Sequence, residues 1–325
     1  MKEDTLYRNI LRDSWRLTWK HKGLWVLGIL AIFWGDLGAY QSLNAALGDV
    51  HPRMLSSLPN VLSIIPAKLP SFSTGGMIAG ILITVLVSVI LIALLVLVIS
   101  ARGGLLFAIL QRSKKRSVSA KEGLRRGLRA FWPLLGVGII TKLDLILAFF
   151  VLNPLMNLEE FPLALPLFMS SFVITTLVSL VLAFLGIYAS ALIILEGHSF
   201  KNAIVESFAI FSRHWLVSIE LALILYGLGF LVGIALLIGL FVLSVPFILV
   251  GSIITLMHIP WALWLVIIPA IIAYIAILVL VGAAFVTFQY ACWTLLFLRI
   301  REHGAVAKIV RVTSRFGHIL HRHVI

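Results

Sequence analysis

The sequence predicts an all-α membrane protein. It reads as a polytopic transmembrane helical bundle of six spans, built as three parallel hairpin repeats, each preceded by a cytoplasmic interfacial amphipathic helix. Three observations predict it. The 325 residues are 61% hydrophobic and only 12% charged, far from the roughly 25% charge of soluble domains. Six segments are long and apolar enough to cross a hydrocarbon layer of about 30 Å as helices. Lysine and arginine collect in the connections that one face of such a bundle would share.

The first span, about 23–45, is the weakest, because Asp36 and Gln41 interrupt it. The second, 77–100, carries no charge. The third, 131–152, contains Lys142 and Asp144, and the fourth runs over about 167–194. The fifth, about 216–245, has Glu220 near its start. The sixth, about 264–298, is longer than one crossing needs and must tilt or extend past the bilayer. Residues 246–261, with Pro246, Gly251 and Pro260, read as a short re-entrant or interfacial element, or as part of a seventh crossing.

Charge chooses between these readings. Residues 1–22 hold six Lys and Arg, 111–129 eight, 196–215 two and 299–325 six; the 48–76 loop holds two, and 153–166 and 246–261 none. Six crossings put the rich segments on one side, which the positive-inside rule makes cytoplasmic, together with both termini. A seventh crossing would carry the basic C-terminus outside and is rejected. The expected location is the cytoplasmic membrane, multi-pass. No cleavable signal is expected, since a charged stretch precedes the first apolar run without an A-x-A-like site.

An amphipathic stretch precedes the first, third and fifth spans, over about 5–22, 119–132 and 199–215. Tyr7, Leu11, Trp15 and Trp19 recur every fourth residue. Leu124, Leu128, Phe131 and Trp132 do much the same, and Phe200, Ile204, Phe208, Phe211 and Trp215 form a third stripe. Such spacings line one helix face. The copies align: Leu11, Ser14 and Trp15 match Leu124, Gly127 and Leu128, and Ser119, Leu124 and Gly127 match Ser199, Ile204 and Ser207. Ser119 and Glu122 fit a capping box. A fourth amphipathic helix, about 302–320, closes the sequence.

The run Ile10-Leu11-Arg12-Asp13-Ser14-Trp15, then Thr18-Trp19-Lys20-His21-Lys22-Gly23-Leu24-Trp25, Gly28 and Gly35-Asp36-Leu37-Gly38-Ala39-Tyr40 resembles the opening of a group of uncharacterised bacterial polytopic membrane proteins. That likeness covers about 40 residues. The layout of amphipathic helix plus hairpin along the chain is similar to the glycerophosphodiesterase membrane-domain family and its YciC-like relatives. The resemblance implies a six-helix domain of a bacterial inner membrane. The soluble phosphodiesterase domain sometimes joined to such regions is absent here, so its catalysis is not carried over.

The net charge of +13 favours anionic lipid headgroups as the partner; no groove-reading motif points to nucleic acid. Contact candidates are Arg12, Arg16, Lys115, Arg125, Arg129, Lys308, Arg311 and Arg315. Ionisable groups inside spans cost about 2.5–3.5 kcal/mol each at the helix centre, which singles out Asp36, Lys142, Asp144 and Glu220. They predict either interhelical pairs, Lys142 with Asp36 or Glu220, or a polar pathway. His318, His321 and His323 lack companions at ligand spacing, so neither a metal nor a cofactor is expected. Cys292, the single cysteine, can form no internal disulfide. Gly103-Gly104 reads as a break at a span end, and Gly76-x-x-x-Gly80 and Gly229-x-x-x-Gly233 as close-packing motifs. No hydrolase elbow, Walker loop or zincin motif occurs. The expected function is non-enzymatic: organising or sensing the bilayer. The alternative is a small-solute or ion transporter or channel using the intramembrane charges. Substrate, oligomeric state and any protein partner are left open.

Overall fold

The computed structural model describes residues 6–32, 74–116, 118–156, 164–258 and 260–303. The described residues contain eight α-helices and no strand. They are α1 (Leu6–Lys20), α2 (Leu24–Ile32), α3 (Thr74–Ser113), α4 (Ala120–Arg129), α5 (Phe131–Met156), α6 (Ala164–Ala191), α7 (Phe200–Leu256) and α8 (Trp264–His303). Among the described residues, four helical stretches, Gly80–Ser113, Pro166–Glu196, Phe200–Leu256 and Trp261–Glu302, are long and apolar enough to cross a membrane. Asp36 and the expected 302–320 helix beyond residue 303, with Lys308, Arg311 and Arg315, lie outside the described residues, as does the first span beyond Ile32.

Local chemistry sets the boundaries. Ser119 caps α4, its hydroxyl accepting from the Glu122 N–H at 3.2 Å, which satisfies one of the donors every helix start leaves open. Pro133 falls in the first turn of α5, where a missing N–H costs nothing. A π-turn over Leu192–Glu196 ends α6, and Gly197 stops it in the left-handed region at φ 77°, where a Cβ would be strained. α7 bends at His214, whose φ/ψ of −125°/25° interrupts the helix; an amphipathic first part thus joins an apolar second part.

α7 runs on through Pro246 to Leu256, and a turn with a short 3-10 segment (Pro260–Leu263) delivers the chain to α8, which packs back on α7. The 246–261 stretch is therefore the far end of α7 plus its turn. Gly103 and Gly104, expected as a helix break, lie inside α3, which continues to Ser113. The reason is a neighbour. α4 crosses α3 here so closely that a Cβ on Gly127 would stand 1.9 Å from the Ser100 carbonyl oxygen, and one on Gly104 2.7 Å from the Gly123 carbonyl. The glycines are retained for contact, and their helix cost of roughly 0.5–1 kcal/mol each is offset by the packing. By contrast, Gly80 and Gly233 face open space, and Gly229 rests against the Phe285 ring.

The helices close on one another. α2 lies between α3 and α8, α5 pairs with α6, and α6 with α7; α1 rests on α8 and α4 on α3. Burial is concentrated at one end. Ile99 to Leu110 of α3, Phe184 to Ile194, Ala203 to Leu225 of α7 and Ala283 to Ile300 of α8 supply most of the core. A second cluster joins Leu24, Leu27 and Ala31 of α2 to Ala101, Leu105 and Ile109 of α3 and to Ala291. Beyond this packed layer the helices run on with apolar side chains outward, as at Ile81–Leu95, Phe230–Leu256 and Trp264–Leu280.

Candidate functional sites

The three amphipathic segments dock through faces that include small residues. α1 buries Ser14 and Thr18 together with Tyr7 and Ile10, α4 buries Gly123 and Gly127, and the first part of α7 buries Ala203 and Ser207 together with Ile210. In each, a broad apolar stripe lies to one side of that buried strip and stays outward. Trp15 and Trp19 of α1, Leu128 of α4 with Trp132, and Phe208 and Trp215 of α7 are all exposed, Trp132 to 76%. Polar and basic residues occupy the face beyond. Arg12, Arg16, Lys115, Arg125 and Arg129, the described members of the expected headgroup set, are exposed. On α1 the aromatic stripe forms a ladder. Trp15 meets Phe288 at 6.0 Å and Trp19 at 5.4 Å, and Trp19 meets Trp25 at 5.2 Å. The Trp25 indole donates to the Thr18 carbonyl at 3.1 Å.

The packed layer has a polar interior. Arg102 on α3 is 2% exposed and is among the largest fully buried side chains. Its guanidinium is next to the Tyr290 side chain of α8. On α8, the buried Thr287 hydroxyl, Gln289 Oε1 and Trp293 indole N–H have no hydrogen-bond partner among the described residues. Such groups cost about 1–3 kcal/mol each when left unmade. On the opposite flank the Tyr188 hydroxyl and Ser218 Oγ share a hydrogen bond of 2.6 Å, and the Tyr7 hydroxyl donates to Glu220. The Glu220 carboxylate is thus tied to α1. Lys142 is half-buried on α5. Asp144 is on the same helix, with its side chain outside the description.

Sequence reasoning missed Arg102, which stands at the end of the uncharged run. The available signal was the apolar Leu105–Leu110 following it, which keeps the arginine inside one long helix. It also missed a junction cluster. Arg301 of α8 donates through Nε to Glu196 Oε1 at 2.8 Å and through its terminal nitrogen to Glu196 Oε2 at 2.5 Å, and it also reaches Glu206. His198 Nδ1 lies 2.8 Å from Glu206 and Nε2 3.5 Å from Glu196. Glu196, His198 and Glu206 offer donor atoms close enough for one metal ion, but Arg301 already engages both carboxylates, so the cluster acts as an ionic clasp between the π-turn, α7 and α8. These side chains are about a third exposed. A double-mutant cycle of Arg301→Ala with Glu196→Ala is expected to give a coupling of about 0.5–1 kcal/mol that shrinks in high salt; thermal unfolding at two salt concentrations checks it.

His21, in the turn between α1 and α2, has its pKa lowered from the ordinary 6.5 by burial, then by the positive charges of Arg112 and Lys20. The folded protein therefore binds this proton less readily than the unfolded chain. The associated stability is fully present above pH 6.5 and lost as pH falls through the folded-state value. His21→Gln is expected to flatten this part of the stability–pH curve, read as melting temperature from pH 7.5 down to 5. No protein-family model, no curated protein and no solved structure matches the chain.

Proposed function

We propose that the chain is an integral membrane protein of six crossings, built as three hairpins, that organises the cytoplasmic leaflet by holding anionic headgroups against its interfacial helices. One observation carries this reading: α1, α4 and the first part of α7 each dock on the bundle through a strip that includes small residues, leaving exposed apolar side chains to one side and polar or basic residues beyond. A helix with that order of faces suits the boundary between acyl chains and headgroups, with aromatics at the level of the interface. The splayed apolar half of the long helices supports the same placement. α3, α7 beyond its bend and α8 each extend about 60 Å at the usual helical rise, twice the hydrocarbon thickness. The outward-facing apolar half would lie in hydrocarbon, and the packed half at the cytoplasmic surface with the basic residues.

The test is the thermal stability of the full chain in nanodiscs of phosphatidylcholine with increasing phosphatidylglycerol. Each Lys or Arg near an anionic surface contributes about 1 kcal/mol, so the melting temperature is expected to rise with the anionic fraction and fall back with salt. A melting temperature indifferent to both would refute the reading. The buried Arg102 guanidinium beside Tyr290 favours a second reading, a pathway for a small anion. Tracer flux into proteoliposomes that vanishes in Arg102→Met would select it.

A further inference from the structure

The basic residues converge where two connections meet. The α1–α2 turn and the α3–α4 connection are brought together because Leu17, Leu24, Ala120 and Leu124 pack on one apolar cluster with Ile109. The turn contributes Lys20 and Lys22, and the connection contributes Arg112, Lys114, Lys115 and Arg116. No acidic residue occurs in 14–32 or 109–121. Arg112 is positioned rather than loose: its terminal nitrogen donates to the Val118 carbonyl at 2.8 Å, and its buried Nε makes no hydrogen bond within the described residues. Lys115 takes a left-handed conformation at φ 60°, and this turn leaves Lys114, Lys115 and Arg116 exposed.

We propose that this junction is a phosphate site for a lipid whose headgroup carries two phosphodiesters. The inference rests on the reading above, which sets this end of the bundle at the headgroup level. Two separate connections each present a cationic group, so a single phosphodiester would engage one of them and a paired one would bridge both. Arginine supplies directed N–H donors for phosphate oxygens, and the lysines supply point charge. Clustered cations without carboxylates also repel one another, and a dianionic headgroup relieves that strain.

The experiment uses the full chain in detergent, offered equal amounts of phosphatidylcholine, phosphatidylglycerol and cardiolipin, with retained lipid read by native mass spectrometry. Cardiolipin, with two phosphodiesters, is expected to be retained about tenfold or more over phosphatidylglycerol. The Lys20→Gln/Arg112→Gln double variant should bring the two lipids level, and Arg112→Lys should keep most of the preference. The Arg12→Gln/Arg16→Gln variant, which removes equal charge from the general headgroup-contact face of α1, should lower retention of both anionic lipids alike and leave their ratio unchanged. Equal retention of the two lipids by the wild type overturns the proposal, as does an Arg12→Gln/Arg16→Gln variant as damaging to that ratio as the junction variant. Displacement of cardiolipin by inorganic pyrophosphate at equal concentration assigns the site to a free phosphate and overturns the lipid source. Retention of no anionic lipid by any form removes the headgroup reading itself, a result distinct from loss of the preference alone.

Discussion

Gly127→Ala is expected to lower the stability of the folded protein by about 2–3 kcal/mol, although alanine is the better helix former. The new methyl would sit 1.9 Å from the Ser100 carbonyl oxygen, a backbone atom that cannot rotate away. Relief requires α4 to back off from α3 along its length, which opens the Gly104–Gly123 contact as well. Gly233→Ala supplies the internal control. Nothing lies within 4 Å of its new methyl, so the same change there should be neutral or stabilising by up to about 1 kcal/mol. Thermal unfolding in one detergent compares them directly. Equal melting temperatures for the two variants would show that the close crossing is not a determinant of stability.

The second large effect is expected at Arg102. Truncation to alanine removes one of the largest fully buried side chains and should cost about 3–5 kcal/mol through the cavity it leaves. Arg102→Met refills most of that volume and removes a desolvated cation. Buried charges are often replaced by apolar residues of similar volume without loss, so methionine is expected to cost less than about 1 kcal/mol. A methionine variant as unstable as the alanine variant would mean that the charge itself is held in a specific pairing that the fold requires. Tyr290→Phe, which deletes the hydroxyl beside the guanidinium, then distinguishes whether that tyrosine is the partner.

The helical class was legible because hydrocarbon imposes a composition no soluble core can match, and runs such as Ile78–Ser100 declare it without reference to any neighbour. The amphipathic segments were legible for a related reason: a period near four survives in the sequence of a single helix. What each helix presents to its neighbours was not. Trp15 and Trp19 dominate the pattern of α1, yet both stay exposed while Ser14 and Thr18 are buried beside Tyr7 and Ile10, because close backbone approach rewards small side chains and sequence hydrophobicity does not register them. Gly103-Gly104 misled for the same reason, since a glycine pair signals a break or a crossing alike until the crossing helix is seen. Arg301 lies about a hundred residues from both Glu196 and Glu206, and no local rule could join it to them. The true length of α7, past Pro246, was hidden because proline is tolerated in an apolar helix whose freed carbonyl finds compensation nearby.

The docking of α1 on α8 bears on how the chain is made. α1 finds its seat on a helix synthesised far later, so the side of α1 that faces α8 stays uncovered while everything between them is inserted. Long-range closure of this kind is slow and leaves adhesive surface waiting. Chains stalled before α7 should accumulate as early intermediates prone to quality-control degradation, and co-expressing the missing α7–α8 segment as a separate polypeptide should rescue them.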